Sequence, residues 1–396
     1  MPEGVSIIIP TLNGGKIFSE CLDAIGQQDY RDPVQLIVID SGSTDGTVAR
    51  AEKAGALVKR IDPKQFHHAR TRNEGVSLAS FDQVVLMVQD AVPCSHGWLR
   101  GMVSALKENG AAAAFAAQIP HVDATPYARF ETESIAHARL GASVADRINS
   151  LESFKNMPYD KAYRSVGLDN VCAIYRKEIL ERTPFPGVEF AEDLAWAVKV
   201  SMLGHRILYL PHIQVRHSHN RSPDYGFRRQ IINSYWVARI MGRVREDVSY
   251  LSFQDLMCIT GFVRSLALEK VKEQWEGIEG FQKEDLFFDR LWKRYPPICR
   301  IRMWRGYRSF SRYFFGPLRP ETQKIVHQVN ADITYQLRLI VDGYPPRDRE
   351  EWRQVLEQVV ANVLGRIHGE VYAGCMLKRQ APRQLENFIK PFLKGV

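Results

Sequence analysis

Seven side chains in this sequence have types and settings suited to chemistry. Asp40 sits within Ile39-Asp40-Ser41-Gly42-Ser43-Thr44-Asp45-Gly46, and Asp90 within Val88-Gln89-Asp90-Ala91. Each follows a β-branched or apolar run, so each carboxylate falls at the carboxyl end of a strand, before a turn and a helix. That is where an open α/β sheet receives a nucleotide; capping the turn is the other reading of Asp40. Arg72, in Phe66-His67-His68-Ala69-Arg70-Thr71-Arg72-Asn73, offers a planar cationic donor for a nucleotide or diphosphate. Glu192-Asp193 opens a helical pattern. A carboxylate there either serves as a general base or merely complements the helix dipole. His217 and His219 flank Ser218 after an apolar run, where a metal or diphosphate contact competes with a structural role.

The elements that must position these groups follow from periodicity. Val5–Ile9, Gln35–Asp40, Leu57–Ile61, Gln83–Val88, Ala112–Ala117, Asn170–Tyr175 and Arg206–Leu210 read as strands, the last closing at Pro211. Helices are expected over 17–27, 69–78, 98–108 and 191–203. Ser43-Thr44-Asp45 offers N-caps for a further helix running toward Ala54. Strands alternating with helices give a doubly wound α/β sheet. Residues 120–166 read as loops and irregular helix. After His219 the apolar residues keep helical spacing over 225–241, 253–272, 320–341 and 349–367, with no strand pattern and no repeat. The boundary is expected between 220 and 250.

Composition narrows the class. The chain has 396 residues, 45% hydrophobic and 25% charged, which excludes a disordered chain. Met1-Pro2-Glu3-Gly4 brings no basic region before the first apolar run, and no stretch is long and apolar enough to span a bilayer. The six cysteines (Cys21, Cys94, Cys172, Cys258, Cys299, Cys375) form no C-x-x-C pair. These features together read as a cytosolic protein with reduced thiols. The net charge is +8, and Arg290–Arg319 holds nine Arg or Lys with no Asp or Glu, interleaved with aromatics such as Trp292, Tyr295, Trp304 and Tyr307. Such a segment suits the anionic inner face of a membrane, or a packing role; nucleic acid is the reading from another class.

Ile7-Ile8-Ile9-Pro10-Thr11-Leu12-Asn13 followed by Ile39-Asp40-Ser41-Gly42-Ser43-Thr44-Asp45 resembles the opening of the family 2 glycosyltransferases. Phe66, His68, Thr71, Arg72 and Asn73 match a signature of the bacterial rhamnosyltransferases, with Ala69 where glycine is usual. Val88-Gln89-Asp90 stands in place of an Asp-x-Asp metal motif, so one carboxylate of the two remains. Asn170–Arg176, Phe185-Pro186, Phe190–Trp196 and Val215–Asn220 resemble the acceptor half of the same family, in order and spacing.

The resemblance covers roughly residues 5–240. It implies a GT-A catalytic domain (1–240, a doubly wound mixed sheet) followed by a mostly α-helical region (241–396), and an inverting transfer from a nucleotide-sugar. The implied donor is dTDP-β-L-rhamnose, with a UDP-hexose or another dTDP-deoxysugar as the alternative. The implied acceptor is a glycan or lipid-linked glycan of a bacterial surface polysaccharide. Thr11 and Asp40 would meet the pyrimidine nucleoside, and Pro10, Asn13, Ser41, His68, Arg72, Gln89 and Asp90 would complete the donor site. Asp193 would be the base, with Asn170, Glu192 and Trp196 on the acceptor side. Asp90 and His217, with His219 second, would hold a weakly bound Mg2+ or Mn2+. No nucleic-acid partner is implied.

Overall fold

The computed structural model describes residues 3–140, 151–275, 286–295 and 320–393. The chain divides into two compact units: Met1–Ala124 with Glu131–His219, and Thr125–Phe130 with Asn220–Val396. The first compact unit runs to His219, and the helix Pro223–Met241 belongs to the second.

The first unit is built on an eight-stranded sheet in the order β3-β2-β1-β4-β7-β6-β8-β5. Its strands are β1 (Val5–Thr11), β2 (Val34–Asp40), β3 (Leu57–Arg60), β4 (Gln83–Met87), β5 (Val92–Pro93), β6 (Ala113–Ile119), β7 (Cys172–Arg176) and β8 (Ile207–Arg216). β1 lies parallel to β2 and β4, and β2 to β3. β7 runs antiparallel between β4 and β6, which makes the sheet mixed. Burial on both faces of the sheet explains the unbroken apolar runs: Ile7, Ile8, Ile9, Val84, Val85 and Leu86 are all fully buried. Helices α1 (Gly15–Gly26), α2 (Thr47–Lys53), α3 (His68–Leu78) and α4 (Trp98–Glu108) alternate with the strands. They are followed by α5 (Pro126–Leu140), α6 (Leu151–Asn156), α7 (Tyr159–Ser165), α8 (Lys177–Arg182) and α9 (Glu192–Met202).

Three details depart from the sequence reading. β8 does not close at Pro211. It runs on to Arg216, and its pairing with β6 jumps from Leu210 to Gln214. Proline cannot donate to the ladder, so the strand bulges around Pro211 and resumes. This carries His217 to the edge of the site, where its N–H bonds the Ile119 carbonyl (2.9 Å). Asp90 does not close β4 either, which ends at Met87; it lies in the turn after it. Residues 43–45 are not the N-cap of α2, which is Gly46 at φ 84°. They tie the β1–α1 loop instead.

The second unit is helical, with no strand among its described residues. Helices Pro223–Met241, Phe253–Trp275, Pro320–Gly343 and Arg349–Leu377 pack around one apolar core. A Cβ added at Gly365 would stand 2.5 Å from the Phe227 carbonyl oxygen, and one at Gly369 2.5 Å from that of Ile231. These two glycines, one turn apart, let the helices meet backbone to backbone. Of the basic-aromatic stretch, residues 296–319 lie outside the described residues. The described part is packing: Arg290 pairs with Asp224, and Arg264 lies over the Trp292 ring. Tyr295 is buried, its hydroxyl 2.6 Å from His368 Nε2. No helix among the described residues is long and apolar enough to cross a membrane.

Candidate active site

The β1 and β2 ends build the first half of the site. Parallel register places Thr11 beside Asp40, and Thr11 Oγ1 donates to Asp40 Oδ1 (3.2 Å). Asp40 Oδ2 accepts from the N–H groups of Gly42 (3.1 Å) and Ser43 (3.0 Å). Asp40 therefore does cap its turn, and Gly42 supplies the φ of 101° that the turn requires. Ser41 bonds back to the Thr11 carbonyl through its N–H (2.9 Å) and its hydroxyl (3.0 Å). Pro10 is the half-buried residue before this junction.

Four consecutive backbone N–H groups after β1 are each taken by a distant side chain. Leu12 donates to Gln89 Oε1 (2.9 Å), Asn13 to Ser43 Oγ (2.8 Å), Gly14 to Thr47 Oγ1 (2.8 Å) and Gly15 to Asp45 Oδ2 (2.8 Å). Gln89 also returns its Nε2 to the Leu12 carbonyl (3.1 Å). Asn13 stands at φ 48°, a conformation asparagine tolerates better than most residues, and its Oδ1 accepts from Thr44 N (2.8 Å). Gln89 and Asn13 thus act first as latches that fix the loop.

The second half forms where α3, β7 and α9 converge. Arg72 and Glu192 make a buried ion pair, with side chains about equally hidden at 6% exposure each. His68 Nδ1 lies 3.4 Å from Arg72 Nη1. Asn170 Nδ2 donates to Glu192 Oε1 (3.2 Å), and Tyr175 Oη donates to Asn170 Oδ1 (2.6 Å). Asp193 lies next to this pair, partly exposed. Its Oδ2 accepts from the Asn170 N–H (3.1 Å) and its Oδ1 from the Leu194 N–H (2.8 Å). Ala191, immediately before, is the N-cap of α9 and is held at φ 58°, a strained conformation for alanine. Trp196 is wholly buried: its Nε1 bonds the Thr183 carbonyl (2.6 Å) and its ring packs on Tyr175 and Phe185. It shapes the wall from behind rather than facing an open space. Asn73 fastens α3 to the same wall by a two-way amide pair with the Phe185 backbone (2.9 and 3.0 Å).

The two neighbouring carboxyls are driven apart in acidity. Burial opposes ionisation of Glu192, but Arg72 and then His68 outweigh it and hold the group below its ordinary value. Burial, and then the charge of Glu192, push Asp193 up to about 7, against the opposing pull of Arg72.

The third component is a cluster of Asp90, His217 and His219, whose ligand-type atoms all lie within 4.8 Å of one another. Asp90 Oδ1 is 3.7 Å from His217 Nε2, and Asp90 Oδ2 is 3.7 Å from His219 Nδ1. Ligands bound about 2.1 Å from a shared ion stand roughly 3–4 Å apart, so the set fits a divalent cation. Three donors replace the single carboxylate that the sequence left in the acidic motif. Sequence reasoning missed Gln118, Asp169 and Tyr175, which brace these groups; the one signal for Gln118 was a polar side chain ending an alanine-rich strand.

Residues 6–183 match the glycosyl transferase family 2 profile. The chain is 33% identical over 249 residues to the O-antigen chain rhamnosyltransferase RfbN of Salmonella typhimurium, covering 60% of this chain and 76% of that protein. It is 33% identical over 229 residues to the O-antigen chain rhamnosyltransferase WbaN of Salmonella anatum, covering 57% and 69%. Among solved structures, mannosyltransferase PcManGT from Pyrobaculum calidifontis, in complex with GDP-Man and Mn2+, aligns with a TM-score of 0.45 and 22% identity, over 59% of this chain and 63% of that one. The chain belongs to glycosyl transferase family 2, with a GT-A-type mixed sheet followed by a helical region, and it is a glycosyltransferase.

Proposed function

We propose that this enzyme moves L-rhamnose from dTDP-β-L-rhamnose onto a hydroxyl of a glycan or lipid-linked glycan, with inversion, in bacterial surface-polysaccharide synthesis. The similarity to RfbN and WbaN supports the sugar and the pathway class. The observation that carries the chemistry is the separation of roles between two adjacent carboxyls: Glu192 is paired with Arg72, whereas Asp193 accepts from the backbone N–H groups of Asn170 and Leu194. In this reading Asp193 accepts the acceptor's proton as the hydroxyl oxygen bonds to the anomeric carbon. The bond from that carbon to the diphosphate oxygen breaks in the same displacement, and the nucleotide diphosphate leaves with its electron pair. Asp40 and Thr11 receive the pyrimidine nucleoside, and Pro10, Ser41, Asn13 and Gln89 hold the loop against it. Arg72 and His68 act by fixing Glu192. Residues 1–240 are proposed as the catalytic part and 241–396 as an acceptor- or membrane-docking part. A panel of dTDP- and UDP-sugars read by thermal shift tests the donor: stabilisation by a UDP-hexose alone would replace rhamnose in this proposal.

Asp40→Ala should lower the affinity for dTDP by about 1–3 kcal/mol, measured by calorimetry, because the nucleoside loses a hydrogen bond to an ionised group. Unchanged affinity with a lowered melting temperature would leave Asp40 as a turn cap.

Asp90, His217 and His219 would hold a divalent cation, which when bound offsets negative charge on the diphosphate. Imidazole and carboxylate donors suit Mn2+ better than Mg2+, which prefers oxygen ligands. With three protein donors, Mn2+ should bind the free protein weakly and bind more tightly once dTDP adds its oxygens. Electron paramagnetic resonance of free Mn2+ measures both. Affinity indifferent to dTDP would separate the ion from the nucleotide.

A further inference from the structure

Behind the metal cluster runs a chain of hydrogen bonds whose polarity is fixed from one end. Asp169 Oδ1 accepts from the Val171 N–H (3.2 Å), and Asp169 Oδ2 lies 3.1 Å from Gln118 Nε2. Gln118 Oε1 lies 2.8 Å from His217 Nδ1. A carboxylate accepts only, so the end of the Gln118 amide facing Asp169 is the NH2. Its oxygen therefore faces His217. An amide oxygen also accepts only, so His217 Nδ1 carries the hydrogen. In the neutral ring this leaves the lone pair on Nε2, the atom that faces Asp90 across 3.7 Å.

We infer that Gln118 and Asp169 are positioning residues that lock His217 in the tautomer able to bind a metal through Nε2. The fold places them for this. Gln118 pairs with Val215 in the β6–β8 register, two residues before His217. Asp169 directly precedes Asn170, whose N–H holds Asp193. One short segment, 169–170, thus braces both the metal cluster and the proposed base. Outer residues of this kind set ring orientation and ligand basicity, and losing one typically costs about 10–100-fold in metal affinity.

The relay can be reversed without changing its shape. In Asp169→Asn the new side chain must keep its oxygen on the Val171 N–H, so its NH2 faces Gln118. The Gln118 amide then turns over and presents its own NH2 to His217 Nδ1. That nitrogen becomes the acceptor, and Nε2 takes the hydrogen. Adding Gln118→Glu to Asp169→Asn restores the original polarity, because the carboxylate accepts from the amide at 169 and from His217 Nδ1–H.

The inference rests on the metal reading above, so the test has two readouts on the full chain. Long-range proton–nitrogen NMR of the metal-free protein reports the His217 tautomer directly. It should show Nδ1–H in the wild type, Nε2–H in Asp169→Asn and Nδ1–H again in the double variant. Mn2+ affinity in the presence of dTDP should fall about tenfold or more in Asp169→Asn and recover in the double variant. An Nε2–H tautomer in the wild type, or a tautomer unmoved by Asp169→Asn, would overturn the relay. A wild type with the expected tautomer but no Mn2+ binding would instead remove the metal reading and leave the relay standing.

Discussion

Asp193→Asn should cut turnover by about 100-fold or more while leaving dTDP affinity near that of the wild type. The asparagine matches the aspartate in size but has no basic oxygen for the acceptor's proton, and Thr11 and Asp40, proposed to meet the nucleoside, lie on other elements. Single-turnover kinetics and calorimetry on the same preparation separate the two quantities. Near-normal turnover would take Asp193 out of the mechanism. The pH profile gives an independent check. A base must be ionised to act, and burial together with the charge of Glu192 puts this group at about 7. Turnover should therefore fall about tenfold per unit as pH drops below that point. The same raised value makes a stability contribution of opposite sense: it is complete below the ordinary 3.8 and is lost as pH rises through about 7. Glu192→Gln removes the raising charge but leaves Arg72, so the acid limb should move to lower pH. A limb that stays in place would show that Glu192 does not tune its neighbour.

Arg72→Ala should destabilise the first unit by about 3–5 kcal/mol, because it leaves the Glu192 carboxylate buried with its cation gone. Both side chains are only 6% exposed, so water cannot compensate. Denaturant midpoints at neutral pH measure the loss. The neutral pair Arg72→Gln with Glu192→Gln should be more stable than either charge-breaking single variant, since no uncompensated charge remains and an acceptor for Asn170 is kept. If Arg72→Ala instead keeps its stability and loses dTDP affinity alone, Arg72 contacts the donor directly and the ion pair is incidental.

The sheet was legible because its strands are buried on both faces and so read as continuous apolar runs, as in Val5–Ile9 and Gln83–Val88. Helix positions were legible from the 3.6 period, with Trp98–Glu108 found at its observed bounds. Asp40 was legible as a strand-end carboxylate, and it both caps the turn and faces the junction with Thr11. Glu192-Asp193 was visible as a pair, but not as two different acids. That distinction needs Arg72, 120 positions away, to meet one carboxylate and not the other. The short strand Val92–Pro93 and the continuation of β8 past Pro211 escaped the sequence reading, because local propensity marks proline as a stop while the β6 partner resumes the pairing beyond it.

The family was legible through the resemblance of motifs such as Ile7–Asn13 and Ile39–Asp45, while residue type and local spacing were enough for the alternation of strands and helices and the placing of Asp40 at the end of its strand. Two features emerge only once the chain has folded: Gln89 latches the Leu12 backbone, and Gln118 links Asp169 to His217 behind the Asp90–His217–His219 group that the resemblance had already implied. The physical reason is the reach of the forces involved. Hydrophobic periodicity is written along the chain, whereas hydrogen-bond polarity and the splitting of two pKa values depend on distances of roughly 3–4 Å between segments that only folding brings together.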